Sequence, residues 1–185
     1  MLMNLETERL ILRSLEMTDL ADFLEYRSDP EVCEFQSYEP FSEAEAERYI
    51  KNLENGEFGE AGKWIQLGIE LKAENKLIGD IGLKPEGHET RIVEFGISLS
   101  RKYQKQGLAA EALTEVFDLL FGKVGIHRIK ATVDAANFGC IRMLENMKFR
   151  REAEFVKSFW QSGMWRDEYL YAILEEEWGE MTVEK

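Results

Sequence analysis

Hydrophobic and polar positions alternate along several short segments of the chain, a pattern typical of β-strands that bury one face. These segments are 7–13, 64–71, 76–83, 91–99, 127–133, 148–155 and 166–173. In the segment 108–121 apolar residues recur at three- and four-residue spacing, as they do in amphipathic helices, and residues that cap helix starts predict three further helices over 20–28, 42–53 and 138–147. The order of these segments predicts an α+β fold with a mixed, mostly antiparallel sheet of about seven strands and about four helices.

Glycines interrupt this pattern at defined places. Gly79 and Gly82 lie inside one predicted strand, which indicates a bulge or a close approach of two backbones. A glycine-rich stretch that begins at Gly56 ends the second predicted helix. The polar residues 72–75 predict a tight turn between two strands of a hairpin.

The most informative segment runs from Glu94 to Phe121 and combines a strand, a polar loop that ends in Gly107, and a helix. The first N–H groups of a helix have no intrahelical partner, and the helix dipole makes that end partly positive. A glycine there lets a phosphate approach the backbone closely. The loop also carries three cations, Arg101, Lys102 and Lys105. The segment therefore predicts a phosphate-accepting turn, and an ordinary glycine-capped turn is the alternative.

The loop has neither the Gly-Lys-Ser/Thr of a Walker loop nor the three glycines of a dinucleotide fingerprint. Instead, Gln104-Lys105-Gln106-Gly107-Leu108-Ala109 resembles the (Arg/Gln)-x-x-Gly-x-(Gly/Ala) pyrophosphate loop of the GNAT superfamily of N-acetyltransferases. Further segments are similar to the RimJ/RimL-like branch, which is named for N-terminal acetylation of ribosomal proteins. They include 7–13, 28–32, 78–83, 107–113, 141–145, 149–152 and 165–167. The resemblance implies one GNAT domain over 1–185, with a sheet that splays at its central strand.

The overall composition narrows the range of partners. The formal net charge of −13 disfavours nucleic acid and favours cationic partners. Charged residues interrupt every apolar run, so we expect no signal peptide and no membrane span. Cys33 and Cys140, with two histidines, make neither a disulfide framework nor a metal site. We therefore expect a cytoplasmic protein without a metal, whose oligomeric state, monomer or homodimer, stays open.

The resemblance implies that acetyl-CoA is the cofactor and that the acceptor amine attacks its thioester directly. The residues whose amides would bind the pyrophosphate are Gln104, Lys105, Gln106, Gly107, Leu108 and Ala109. The strand that carries Ile97 and Leu99 would pair with the pantetheine arm, and a backbone N–H near Ile97 would bind the oxyanion. Asn137 would contact the cofactor with its side chain, and a role as the N-cap of the following helix is an equal and compatible alternative.

The resemblance also implies two candidate catalytic residues. Glu94 matches an acidic position of the family and would accept the amine proton, with an exposed strand glutamate as the alternative. Cys140 lies where the RimL-like branch has a serine and would donate a weak hydrogen bond to the departing thiolate, with a small buried apolar residue as the alternative. Other positions depart from the family: Leu144 replaces a tyrosine acid, the region of Phe159 lacks a second acidic residue, and Lys148 replaces a common glycine.

These observations predict an N-acetyltransferase that acts on a primary amine, with the α-amine of a peptide or protein N-terminus as the leading acceptor. A peptide α-amine has a pKa of about 7.7–8.0, so freeing it at pH 7 costs about 1 kcal/mol, against about 4–5 kcal/mol for a lysine. One alternative is acetylation of a small molecule such as a polyamine, an amino sugar or an amino acid. The other is an acyl-CoA-binding module without transfer activity.

Overall fold

The computed structural model describes residues 4–53 and 58–183. Within these ranges, eight strands form one sheet in the order β1-β2-β3-β4-β5-β6-β8-β7. The strands are β1 (Leu5–Glu6), β2 (Leu10–Ser14), β3 (Ile65–Leu71), β4 (Lys76–Pro85), β5 (Ile92–Leu99), β6 (Arg128–Asp134), β7 (Arg150–Gln161) and β8 (Met164–Leu174). The α-helices are α1 (Leu20–Arg27), α2 (Pro30–Cys33), α3 (Glu43–Leu53), α4 (Leu108–Leu119), α5 (Phe138–Asn146) and α6 (Glu175–Val183). None of the helices in these ranges is long and apolar enough to cross a membrane.

The predicted α+β class and the mostly antiparallel sheet are confirmed, and every predicted strand and helix is present. Three short or terminal elements, β1, α2 and α6, were not predicted, and the last two strands are longer than expected. The predicted stop of α3 begins at Gly56, which lies outside the described residues.

The acidic C-terminal segment forms a helix, α6, that docks on the rest of the fold. Trp178 of α6 is buried, and its ring lies 5.5 Å from that of Phe117, centroid to centroid. The Trp178 indole N–H donates a hydrogen bond of 2.6 Å to Asp118. One aromatic side chain therefore fixes this helix on the back of α4.

A single parallel pair of strands lies at the centre of the sheet. β5 and β6 are joined through α4 and pair at Ile92–Arg128, Val93–Ile129 and Glu94–Lys130. Beyond these pairs β5 continues only with β4, and β6 continues only with β8. The two strands therefore separate after Glu94, and this separation is the splay that the resemblance implied.

Hydrophobic residues fill the sheet face on which α4 and α5 lie. The ring of Phe95 packs 5.0 Å from that of Phe117 on α4 and 5.8 Å from that of Phe149. Along α4 the residues Leu108, Ala112, Leu113, Val116 and Phe117 are buried, which is the stripe expected from their spacing. This packing fixes the start of α4 relative to the end of β5.

A polar network holds α1 against the opposite sheet face. The Arg27 guanidinium donates to Asp80 on β4 at 2.5 Å, and the Tyr26 hydroxyl donates to the same carboxylate at 2.5 Å. All three side chains are almost completely buried. Burial is the main reason why the pKa of Tyr26 lies well above its usual range, so its hydroxyl stays a donor.

Gly79 lies where the backbones of β4 and β5 approach closely, next to a shift in register. Ile69 pairs with Gly79 but Glu70 pairs with Leu77, so β4 has one extra residue at this point. A Cβ on Gly79 would overlap the carbonyl oxygen of Ser98 and lie 2.9 Å from the Leu99 side chain. Both structures that the sequence suggested for this glycine, the bulge and the close approach, are present.

We expect Gly79→Ala to lower the free energy of unfolding by about 1–3 kcal/mol, because the added methyl group overpacks the β4–β5 contact. Urea denaturation measures this loss. Gly122→Ala is the matched control, since a Cβ there would have nothing within 4 Å. Equal stability of the Gly79 variant and the wild type would contradict the close contact.

Candidate active site

The inner edge of β5 presents peptide groups to the gap between β5 and β6. The Ser100 N–H donates to the Ile78 carbonyl on β4 at 2.8 Å. Because peptide groups of successive residues in a strand point to opposite sides, the even-numbered residues of β5 bond to β4 and the odd-numbered ones point away from it. The backbone N–H and C=O groups of Ile97 and Leu99 therefore point into the gap. Their carbonyls accept hydrogen bonds from glutamine side chains, Ile97 from Gln36 at 3.3 Å and Leu99 from Gln104 at 2.9 Å. A ligand arm that carries amides can take over these positions by displacing the two glutamine side chains.

The loop between β5 and α4 opens onto the same gap. Gly107 has φ +78° and precedes the first residue of α4, and no side chain caps the helix there. The first N–H groups of α4 therefore lack an intrahelical partner and suit an anion such as pyrophosphate. Arg9 donates to the Gln106 carbonyl at 3.0 Å and forms an ion pair of 2.6 Å with Glu111. These contacts fix the loop to α4.

The cations of this loop are not all free to bind a phosphate. Arg101 pairs with Glu31 at 2.5 Å and Lys102 pairs with Glu25 at 2.8 Å. Lys105 has no carboxylate within ion-pair distance in the part of the chain that the structure describes. Anion binding at this turn therefore depends on the backbone amides and on Lys105 more than the sequence suggested.

Asn137 begins α5 and uses its side chain as the N-cap. Its Oδ1 accepts a hydrogen bond of 3.1 Å from the Cys140 N–H, so the capping role is present. The bond occupies the oxygen of the amide, and no described residue accepts from its NH₂ group. Asn137 can therefore cap the helix and donate to a cofactor at the same time.

Cys140 lies in the first turn of α5 and packs against the hydrophobic core. Burial raises the pKa of its thiol to about 11, so the group stays protonated at neutral pH. An ordinary thiol has a pKa near 8.5, so a proton transfer from Cys140 to its thiolate would be uphill. The thiol can thus donate a hydrogen bond to a thiolate, but it does not suit full proton transfer.

Glu94 lies at the point where β5 and β6 separate. It belongs to the last residue pair between the two strands, opposite Lys130. Its carboxylate forms an ion pair of 2.7 Å with Lys84 on β4, and its side chain is only 22% exposed. A carboxylate has about four acceptor sites, so this pairing leaves room for an amine N–H or a water molecule. Glu94 is therefore a partly buried and held side chain, not an exposed strand glutamate.

Sequence reasoning missed two residues that contact the predicted ones. Lys84 lies directly opposite Glu94, and the register of the β4–β5 hairpin would have identified it. Gln36 is 61 residues away from Ile97 in the sequence, and no local pattern signals their contact. Among the described residues, no three His, Cys, Asp or Glu side chains cluster in a way that could hold a metal.

Comparisons with known proteins agree with this geometry. A family profile described as "Acetyltransferase (GNAT) domain" matches residues 9–150. The uncharacterized N-acetyltransferase YnaD of Bacillus subtilis is 34% identical over 95% of this chain and 99% of its own. The crystal structure of a GNAT-family acetyltransferase from Bacillus anthracis superposes with a TM-score of 0.84 at 31% identity, over 95% of this chain and 100% of that one.

Two more distant structures share the fold. A spermidine N-acetyltransferase from Vibrio cholerae, in complex with CoA and spermine, has a TM-score of 0.80 at 23% identity and covers 93% of this chain and 99% of its own. The ribosomal-protein-S5-alanine acetyltransferase from Vibrio fischeri has the same TM-score at 20% identity, over 95% and 98%. The matched profile over residues 9–150 defines the class as acetyltransferases. The chain belongs to the GNAT acetyltransferase family, and it is an N-acetyltransferase that uses acetyl-CoA.

Gly107→Val should weaken acetyl-CoA binding by at least tenfold, about 1.4 kcal/mol, because its side chain would stand where a phosphate approaches the amides. Titration calorimetry measures the affinity. Gly125→Val is the matched control, because Gly125 also has a positive φ, +79°, so that a valine there is strained in the same way. Gly125 lies beyond the C-terminal end of α4, away from the loop. An equal loss of affinity in both variants, or none in a folded Gly107 variant, would contradict the role of the loop.

Cys140→Ser should keep or raise kcat, because a hydroxyl donates a stronger hydrogen bond than a thiol. Cys140→Ala should lower kcat about fivefold, which is the effect of a hydrogen bond worth about 1 kcal/mol. Thiol release under saturating substrates gives both values, and the acetyl-CoA affinity of each variant serves as the control. If the alanine variant turns over like the wild type, Cys140 only packs.

Proposed function

We propose that this enzyme transfers the acetyl group of acetyl-CoA to the α-amine of a peptide or protein N-terminus, as the RimJ/RimL-like branch does. The observation that carries the proposal is a carboxylate at the point of strand separation, Glu94, held by Lys84. The final hairpin offers no second acidic residue at Phe159. A site with one held carboxylate suits an amine that loses its proton at a cost of about 1 kcal/mol.

Each step of the transfer has a candidate group on this chain. The amides from Gln104 to Ala109 would hold the pyrophosphate, and the inner edge of β5 would pair with the pantetheine arm. The amine lone pair attacks the thioester carbonyl, and the Ile97 N–H faces the developing oxyanion. The new N–C bond forms, the amine proton passes to Glu94, and the C–S bond breaks as Cys140 donates to the thiolate.

Charge supports a cationic acceptor. The net charge of −13 attracts peptides that carry Lys or Arg near their N-terminus. Two free cysteines fit the cytoplasm, where thiols stay reduced, and we keep this compartment as part of the proposal.

Polyamine acetylation is the second candidate, because the fold is shared with an enzyme that was solved with CoA and spermine. Polyamines are also cationic, so charge does not separate the two acceptors. The pKa of the amine does separate them, because removing the proton from a primary alkyl amine, like that of lysine, costs about 4–5 kcal/mol at pH 7. Glu94, already paired with Lys84, is the only base that the proposal assigns to that task.

A basic peptide should be acetylated at its α-amine with a kcat/KM at least tenfold above that of its lysine ε-amines, because of the difference in amine pKa. The rate should fall with added salt as the attraction to the acidic protein is screened. Glu94→Gln should lower kcat/KM mainly below pH 8, where the α-amine is still protonated. Mass spectrometry of the products and a pH series of thiol release measure these effects.

Glu89→Gln is the control, since it removes an exposed carboxylate that pairs with Arg91 in a turn. Acetyl groups found chiefly on internal lysines would contradict the proposal. A preference for spermidine over every peptide would instead establish the polyamine alternative.

A further inference from the structure

A groove floored by glycine crosses three strands beside Glu94. Gln66 on β3 pairs with Gly82 on β4, and Gly82 pairs with Gly96 on β5, so the three residues form one row across the sheet. The next row on the same face contains Lys84 and Glu94, since side chains two residues apart along a strand share a face. The row therefore runs from Gln66 directly to the flank of the proposed proton acceptor.

Gly82 is required because the Gln66 side chain lies over it. A Cβ at Gly82 would come within 2.8 Å of Gln66 Oε1 and 3.1 Å of the Trp64 ring. Gly96 differs, because a Cβ there would meet nothing within 4 Å. The groove is thus filled by the carboxamide over β4 and open over β5.

The Gln66 carboxamide is only half satisfied. Its Nε2 donates to the Tyr49 hydroxyl at 2.6 Å, whereas its Oε1 is buried and has no hydrogen-bond partner among the described residues. A buried acceptor without a donor is unfavourable and calls for a ligand. Adjacent strands are about 4.8 Å apart, which is longer than a hydrogen bond, and Oε1 is closed to solvent where it lies over Gly82, so the carboxamide has to turn toward β5 before its oxygen can contact an atom bound over Gly96.

We propose that Gln66 Oε1 binds the acceptor amine over Gly96 by accepting one of its N–H groups. Glu94, two residues along the same face of β5, accepts the other. A neutral primary amine has two N–H groups and one lone pair, so these two contacts direct the lone pair at the acetyl carbon. The carboxamide takes no proton; the proton released on attack goes to Glu94, and the electrons of the C–S bond leave with the thiolate. The inference rests on the proposed role of Glu94 and applies to a peptide or a polyamine amine alike.

Three variants and one control test this role. Gln66→Leu removes the acceptor at similar size, Gln66→Glu keeps an acceptor, and Gly96→Ala fills the open end of the groove. Gly122→Ala adds the same methyl group in open space elsewhere. Each is assayed with the amine, peptide or spermidine, that the wild type prefers, so the order of preference tests the proposed function and the variants test Gln66.

Gln66→Leu and Gly96→Ala should each raise the KM for the amine at least tenfold, and the double variant should be no worse than the worse single one, because both act on one contact. Gln66→Glu should stay within threefold of the wild type. Acetyl-CoA affinity should not change in any of them, which shows that each variant is folded. The inference would be overturned if the KM for the amine were unchanged in Gln66→Leu or in Gly96→Ala. It would also be overturned if Gln66→Glu and Gln66→Leu raised that KM equally.

Discussion

Three residue pairs hold β5 and β6 together, and the whole site depends on how early this ladder ends. If the parallel pairing continued, the inner peptide groups of Ile97 and Leu99 would be consumed by β6 and none would face a ligand. Beyond the third pair each strand stays paired on its outer side, β5 with β4 and β6 with β8. Unpaired peptide groups inside a protein are costly, and the side chains of Gln36 and Gln104 offset that cost at the two carbonyls.

The two faces of the sheet have different physical tasks. On one face the aromatic core around Phe117 fixes the end of β5 and the start of α4, so the anion-binding turn is rigid. On the other, the buried Arg27–Asp80 pair fixes α1 on β4. Removing one partner of such a pair typically costs about 3–5 kcal/mol, because the other charge is left buried alone. The same face also carries Gly96, whose lack of a side chain leaves open space beside Glu94.

Local signals predicted most of the fold and the cofactor turn, but not the contacts across the sheet. Gly107 and the change of period at Leu108 lie within one segment and could be read directly. The partners of Glu94 and Ile97 come from distant segments, so only the register and the loop path reveal them. Pro30 shows a third case: it disfavours helical geometry at Asp29, which fits the end of the predicted helix at 28, and it also opens α2, with Asp29 as the N-cap. The end of α1 and the start of α2 thus lie next to the same proline, and the sequence analysis predicted only the end of α1.

The candidate acid and base of the proposed site are both weak, so positioning of the two reactants is expected to supply most of the rate enhancement. Cys140, with a pKa of about 11, is too weak an acid to protonate an ordinary thiolate, and Glu94 is one carboxylate already engaged by Lys84. Acid–base catalysis at such a site contributes little beyond one proton transfer. Orientation of two bound reactants can supply several orders of magnitude without any titrating group. In the proposed function, the early end of the β5–β6 ladder, the turn before α4 and the open space over Gly96 would bring the thioester and the amine to the same short stretch of β5, which is the condition that orientation requires.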